Sequence, residues 1–181
     1  WLQVNYGFGP AFGRGAGLSL LAAVAIRLLW GNLGTEDAAP GAVAAPYDYS
    51  QPIDTTASAA PEATVDPAMA QFDAARASFM SGKYTDALAT ADATLAGLPT
   101  DTTLHEFRAL CLFALQRYDE SAAALYSVLS VGPGWDWATM VGLYPNVDTY
   151  TPQLRALEQY CGSHADSASA RFVLAYHYLT Q

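Results

Sequence analysis

Gly82-Lys83-Tyr84-Thr85-Asp86-Ala87 and Arg117-Tyr118-Asp119-Glu120-Ser121 are two versions of one turn, and they decide the fold. Tyr84 returns as Tyr118, Phe79 as Phe113, Ala75 as Ala109, Leu95 as Leu129 and Pro99 as Pro133, each 34 positions later. A period near 34 residues is that of stacked helix–turn–helix units, because one helix pair cannot bury its own apolar face.

In the first unit Asp66-Pro67 opens a helix, Asp as cap and Pro in the first turn. Met69, Phe72, Ala75 and Phe79 continue it at helical spacing, and Gly82 ends it. Thr85 opens the partner helix, which carries Leu88, Ala91, Leu95 and Leu98 on one face; Pro99 closes the unit. The second unit opens at Thr103 with Glu106 as its capping-box partner. Its first helix is apolar on nearly every side, which predicts neighbours all round. Asp119 caps the helix that carries Ala122, Leu125 and Leu129.

Past Pro133 the pattern loosens. Asp136 caps a short helix from Trp137 to about Leu143, Tyr144 to Asp148 replaces a tight turn, and helix resumes at Tyr150 with Leu154, Leu157 and Tyr160 on its face. A further first-type helix runs from about Ser167 through Phe172, Leu174, Tyr176 and Leu179. It has no partner helix after it, so an apolar flank is expected to need cover.

The two Tyr-centred turns, each followed by a distant Pro, resemble tetratricopeptide (TPR) repeats over about residues 66–133. The early Trp of that pattern is absent, and Ala75 and Ala109 stand where Gly is usual. The run Gly134-Trp135-Asp136-Trp137 through Tyr176-His177-Tyr178-Leu179 is also similar to a group of bacterial TPR proteins with a Gly/Tyr-rich N-terminal region and a PYDYSQPI-like linker. The resemblance implies an all-α solenoid of helical hairpins and implies no activity. In such solenoids the first helices line a concave groove, the default site for a peptide. It assigns to that groove Phe72, Arg76, Phe79, Glu106, Leu110, Phe113 and Met140, several of which have a core reading as well.

Outward from the repeats, residues 1–34 form an arm rich in glycine and aromatics. Gly13-Arg14-Gly15-Ala16-Gly17 lacks the Lys of a phosphate loop and the spacing of a dinucleotide fingerprint. Leu18 to Trp30 reads as a helix of thirteen residues, apolar nearly all round and broken by Arg27. A membrane span needs about 20 residues, so this run is expected to dock on protein or on a lipid surface instead. The docking candidates are Leu18, Leu21, Val24, Ile26, Leu29 and Trp30. Residues 35–66 have the Ala/Pro/Thr composition of an extended linker. One island in it, Pro46-Tyr47-Asp48-Tyr49-Ser50-Gln51-Pro52-Ile53, looks like a docking peptide and adds Tyr47, Tyr49 and Ile53 to the candidates. Residues 67–181 are the helical domain.

Composition narrows the function. Of 181 residues, 8 are basic and 17 acidic, a net charge of −9, which leaves no basic stripe for nucleic acid. Charged residues make up 14%, low against about 25% in soluble domains, and this points to surface covered by another molecule. Two cysteines are too few for a disulfide framework. The three histidines show no catalytic or metal-ligand spacing, and no cofactor motif is present. Trp135 and Trp137 could stack a sugar or pack a repeat junction. A chain that opens on Trp1 reads as a processed, secreted or surface-exposed form. The expectation is a non-enzymatic homo-oligomer or filament built head to tail through the arm. The alternative is a monomeric adaptor that takes a partner's peptide in its groove.

Overall fold

A computed structural model describes residues 47–55 and 65–181. The docking candidates Leu18 to Trp30, and the linker on either side of Tyr47–Thr55, lie outside the described residues. The described chain is all-α: α1 (Val65–Met80), α2 (Tyr84–Leu95), α3 (Thr102–Ala114), α4 (Tyr118–Leu129), α5 (Trp137–Val141), α6 (Val147–Ser163) and α7 (Ala168–Thr180), with no strand among the described residues.

α1/α2 and α3/α4 are helical hairpins closed by the same turn. After α1 the Gly82 N–H donates to Phe79 O and Lys83 N–H to Ser78 O, both at 2.9 Å. After α3 the Gln116 N–H donates to Phe113 O and Arg117 N–H to Leu112 O, again at 2.9 Å. This is the Schellman closure, which ties down carbonyls that the last helical turn leaves unpaired. Its pivot must be left-handed, and Gly82 (φ 75°) and Gln116 (φ 59°) both are.

α1 packs on α2, α2 on α3 and α3 on α4. α3 is the central helix: every residue from Leu104 to Phe113 is buried. Phe107 meets Phe72 edge-to-face at 5.2 Å and Phe79 at a tilt at 5.7 Å. Phe79 and Phe107, both fully buried, each contribute about 1.5–3 kcal/mol through burial. Ala109 lets α4 come close enough for the buried Ser121 hydroxyl to donate to Ala109 O at 2.9 Å.

Beyond α4 the stack does not continue in sequence order. α4 packs on α7, and α7 on α6. α7 therefore lies against α4, with α5 and α6 between them in sequence. Tyr144 and α6 cross the tips of both hairpins instead. Tyr144 meets Phe79 at 4.9 Å, and Gln153 Nε2 donates to Tyr84 Oη at 2.8 Å. Tyr150 lies 6.2 Å from Phe113, and Tyr160 4.9 Å from Tyr118. Tyr84 and Tyr118, related by the 34-residue period, are thus both held by α6.

Asp136, Asn146 and Ser167 cap α5, α6 and α7, accepting from the Thr139, Thr149 and Ala170 amides. Four expected caps move. The first helix already begins at Val65, so Asp66 lies inside its first turn instead of capping it. Asp101, not Thr103, caps α3, accepting from Leu104 N at 3.0 Å. Glu106 is then too far along the helix to complete a capping box. α2 and α4 begin a residue earlier than Thr85 and Asp119, at Tyr84 and Tyr118, behind Lys83 and Arg117, which make no side-chain cap. Asp119 lies in the first turn, where its charge favours the helix dipole.

Candidate functional site

From Leu104 to Ala114, α3 is apolar except for His105, Glu106 and Arg108, all three buried. A polar side chain enclosed in this way must find a partner or cost stability. Each meets one from a distant part of the chain, and together they define two clusters.

The first cluster seats the linker island. His105 Nε2 lies 2.9 Å from the carbonyl of Pro99, which can only accept, so Nε2 carries the proton. Nδ1 is then an acceptor, and Tyr49 Oη donates to it at 2.8 Å. Tyr47 brings its ring 4.3 Å from the imidazole and 4.9 Å from Tyr49. The Arg108 guanidinium lies over the Tyr49 ring at 5.4 Å, a cation–π contact, while its Nε donates to Asp92 Oδ1 at 2.7 Å. Ile53, 2% exposed, anchors the far end of the segment. Asp48 Oδ1 accepts from Ser50 N at 2.9 Å and bends the chain so that both tyrosines face α3. The seat is nearly charge-neutral, Arg108 against Asp92, and it is built for an un-ionised phenol. Burial raises the Tyr49 pKa, and burial lowers that of His105.

Arg108 Nη1 is buried and has no hydrogen-bond partner.

The second cluster lies on the other side of α3. Glu106 Oε1 accepts from Tyr176 Oη at 2.6 Å and from the Trp135 amide at 2.7 Å. Burial raises the Glu106 pKa, and the two donors oppose that rise. His177 is buried beside it, its pKa depressed by burial to about 3, and its Nδ1 lies 3.2 Å from Tyr150 Oη. A cavity of about 10 Å³ between Glu106, Trp135, Tyr176 and His177 has room for no more than one water. This cluster ties α3 to α7 and is structural in character.

The expected concave lining is largely interior. Phe79, Glu106, Leu110, Phe113 and Met140 are all buried, so they cannot line an open groove. Only Phe72, half-buried, and Arg76, exposed and paired with Asp73 at 3.6 Å, reach solvent. The correction follows from Tyr144 and α6, which cover Phe79 and Phe113 at the hairpin tips. Trp135 and Trp137 are half-buried; Trp137 meets Tyr150 edge-on at 5.4 Å. Cys111 is buried and Cys161 half-buried, both free. Among the described residues no three His, Cys, Asp or Glu side chains gather as a metal site would.

On sequence alone His105 shows no catalytic or metal-ligand spacing, and neither Arg108 nor Asp92 stands out. The available signal was the polarity itself: three ionisable residues within four positions of a helix whose every side is buried. Compared with protein-family models, with curated proteins and with solved structures, the chain matches none of them.

Proposed function

We propose that this chain is a non-enzymatic interaction protein that self-assembles head to tail, its N-terminal arm docking on the helical domain of a neighbouring copy. The observation that carries this reading is that one chain holds both a peptide, Tyr47–Ile53, and a built seat for it on α3. A second support is the outer flank of α7, where Tyr178 is 52% and Leu179 87% exposed. Leu18, Leu21, Val24, Ile26, Leu29 and Trp30 of the arm supply matching apolar surface. Arm and receiving face are different patches, so the contact is heterologous and propagates as a filament unless the rotation between copies closes. No helix among the described residues is long and apolar enough to cross a membrane. A secreted or surface-exposed setting is part of the proposal.

The test is light scattering after size exclusion, with electron microscopy of the same sample. The full chain is expected to give oligomers or fibres and the chain lacking residues 1–34 to give monomer. Unchanged oligomer size without the arm overturns the reading.

A monomeric adaptor is the second reading. It is favoured by the Tyr49–His105 bond lying within one chain and disfavoured by burial of the expected groove. It requires a single monomer peak from the full chain.

A further inference from the structure

We infer that the α2–α3 seat formed by Asp92, Pro99, His105 and Arg108 is an exchangeable receptor, which accepts Tyr47–Ile53 of a second copy in place of the chain's own segment. This rests on the self-assembly reading and names its receiving site.

Two observations carry it. Among the described residues the segment is held by specific contacts: a phenol hydrogen bond to His105, ring contacts to His105 and Arg108, and the buried Ile53. It is covalently joined to α1 only through residues 56–64, nine positions of Ala, Ser, Thr, Pro and Glu. The same contacts form whichever copy supplies the segment, which is why exchanging identical elements is a low-cost route to assembly.

The balance between own and foreign segment is set by effective concentration. A short covalent tether holds its ligand at about millimolar effective concentration. Exchange at micromolar protein therefore needs added contacts, and residues 1–34, which travel with the segment, can provide them. The chemistry selects an unmodified tyrosine. The phenol oxygen is 2.8 Å from an imidazole whose other nitrogen is committed to Pro99, and Arg108 is already neutralised by Asp92.

Two experiments on the full chain test this. In the first, a fluorescent peptide spanning residues 46–54 is titrated by anisotropy into the wild type and into Y47A/Y49A, whose seat is vacated and whose fold is checked by circular dichroism. Binding to Y47A/Y49A is expected to be at least about tenfold tighter than to the wild type, and a peptide carrying Tyr49→Phe about tenfold weaker than the parent. No binding to the folded variant, or equal binding to both proteins, overturns the receptor. In the second, Gln51, exposed in the docked segment, is replaced by p-benzoylphenylalanine in chains grown with light and heavy nitrogen. The two are mixed and photolysed. Crosslinks joining a light segment to a heavy α3 are expected; crosslinks confined to one isotope overturn the exchange. Oligomers without mixed crosslinks leave assembly standing and remove this route. Mixed crosslinks without growth beyond a closed pair remove the filament and leave the exchange.

Discussion

Tyr176 donates its phenolic hydrogen to Glu106 Oε1 at 2.6 Å, across 70 positions of sequence. The bond is a join between the central helix and the last one, and it satisfies a carboxyl that α3 itself cannot serve. Tyr176→Phe removes one of its two donors. Loss of a hydrogen bond to a buried charged group costs about 1.5–3 kcal/mol, to be read from urea denaturation. The Glu106 pKa rises further in this variant, since burial already raises it and Tyr176 opposes that rise. A raised carboxyl pKa means that the folded state binds the proton more readily. Stability contributed at Glu106 therefore falls as pH climbs from the usual carboxylate range through the folded-state value, and falls more in Y176F.

Gly134 makes this junction possible. Its φ is +74°, and a Cβ there would stand 2.9 Å from both Glu106 Oε1 and Leu129 Cδ2. Gly134→Ala combines left-handed strain with overpacking and is expected to destabilise by about 3 kcal/mol in thermal or urea unfolding. An alanine variant of wild-type stability would mean that the Trp135 amide does not approach Glu106 as described.

The two hairpin turns predict opposite responses. At Gly82 an added Cβ meets nothing within 4 Å, so only the backbone angle matters, and Gly82→Ala costs about 1 kcal/mol. At Gln116 the left-handed pivot is occupied by a residue with a Cβ, so Gln116→Gly stabilises by up to about 1 kcal/mol. Denaturant midpoints of the two single variants should move in opposite directions.

Tyr84 and Tyr118 hold equivalent places in the two hairpins with unequal partners. Tyr84 Oη accepts from Gln153 Nε2 at 2.8 Å, and Gln153 Oε1 accepts from Tyr144 Oη at 2.8 Å. Tyr118 Oη is buried without a partner. Tyr84→Phe is expected to cost about 1 kcal/mol and Tyr118→Phe to be neutral or stabilising. Gln153→Ala breaks both bonds and should speed amide hydrogen exchange along α6.

Acid should weaken the fold through its histidines. Burial depresses the pKa of His105, and that of His177 to about 3. Both are neutral when folded, while in the unfolded chain they take up a proton near pH 6.5. Their contribution is whole above that pH and declines below it, by up to about 1.4 kcal/mol per pH unit for each, until the folded-state pKa is reached. The urea midpoint is expected to be lower at pH 5 than at pH 7.5. Glu106 acts in the opposite direction, and Glu106→Gln should steepen the decline.

What the sequence could convey was local. The 34-residue recurrence of Tyr84 and Phe79 located both hairpins, and Asp136 was readable as a cap because a cap bonds within its own first turn. The seat of Tyr49 was not readable: its partner is 56 positions away, and nothing in either neighbourhood names the other. The groove failed for a related reason. Apolar residues on first helices are equally suited to an open face and to a covered one, and the cover, Tyr144 and α6, comes from a segment where the repeat pattern has lapsed.

The placement of α7 beside α4 has a kinetic side. Residues 130–167 must loop out and return before that contact can form, whereas each hairpin closes within about thirty residues of its own start. Loop closure is costly in entropy before any distant contact rewards it, so the hairpins should condense early and α7 last. Until it arrives, Glu106 keeps its carboxylate in water, and the chain still emerging from a ribosome presents the flank of α4 unguarded. The final thirteen-residue helix is then the latch on a body otherwise already shaped, and slow refolding should trace to that step.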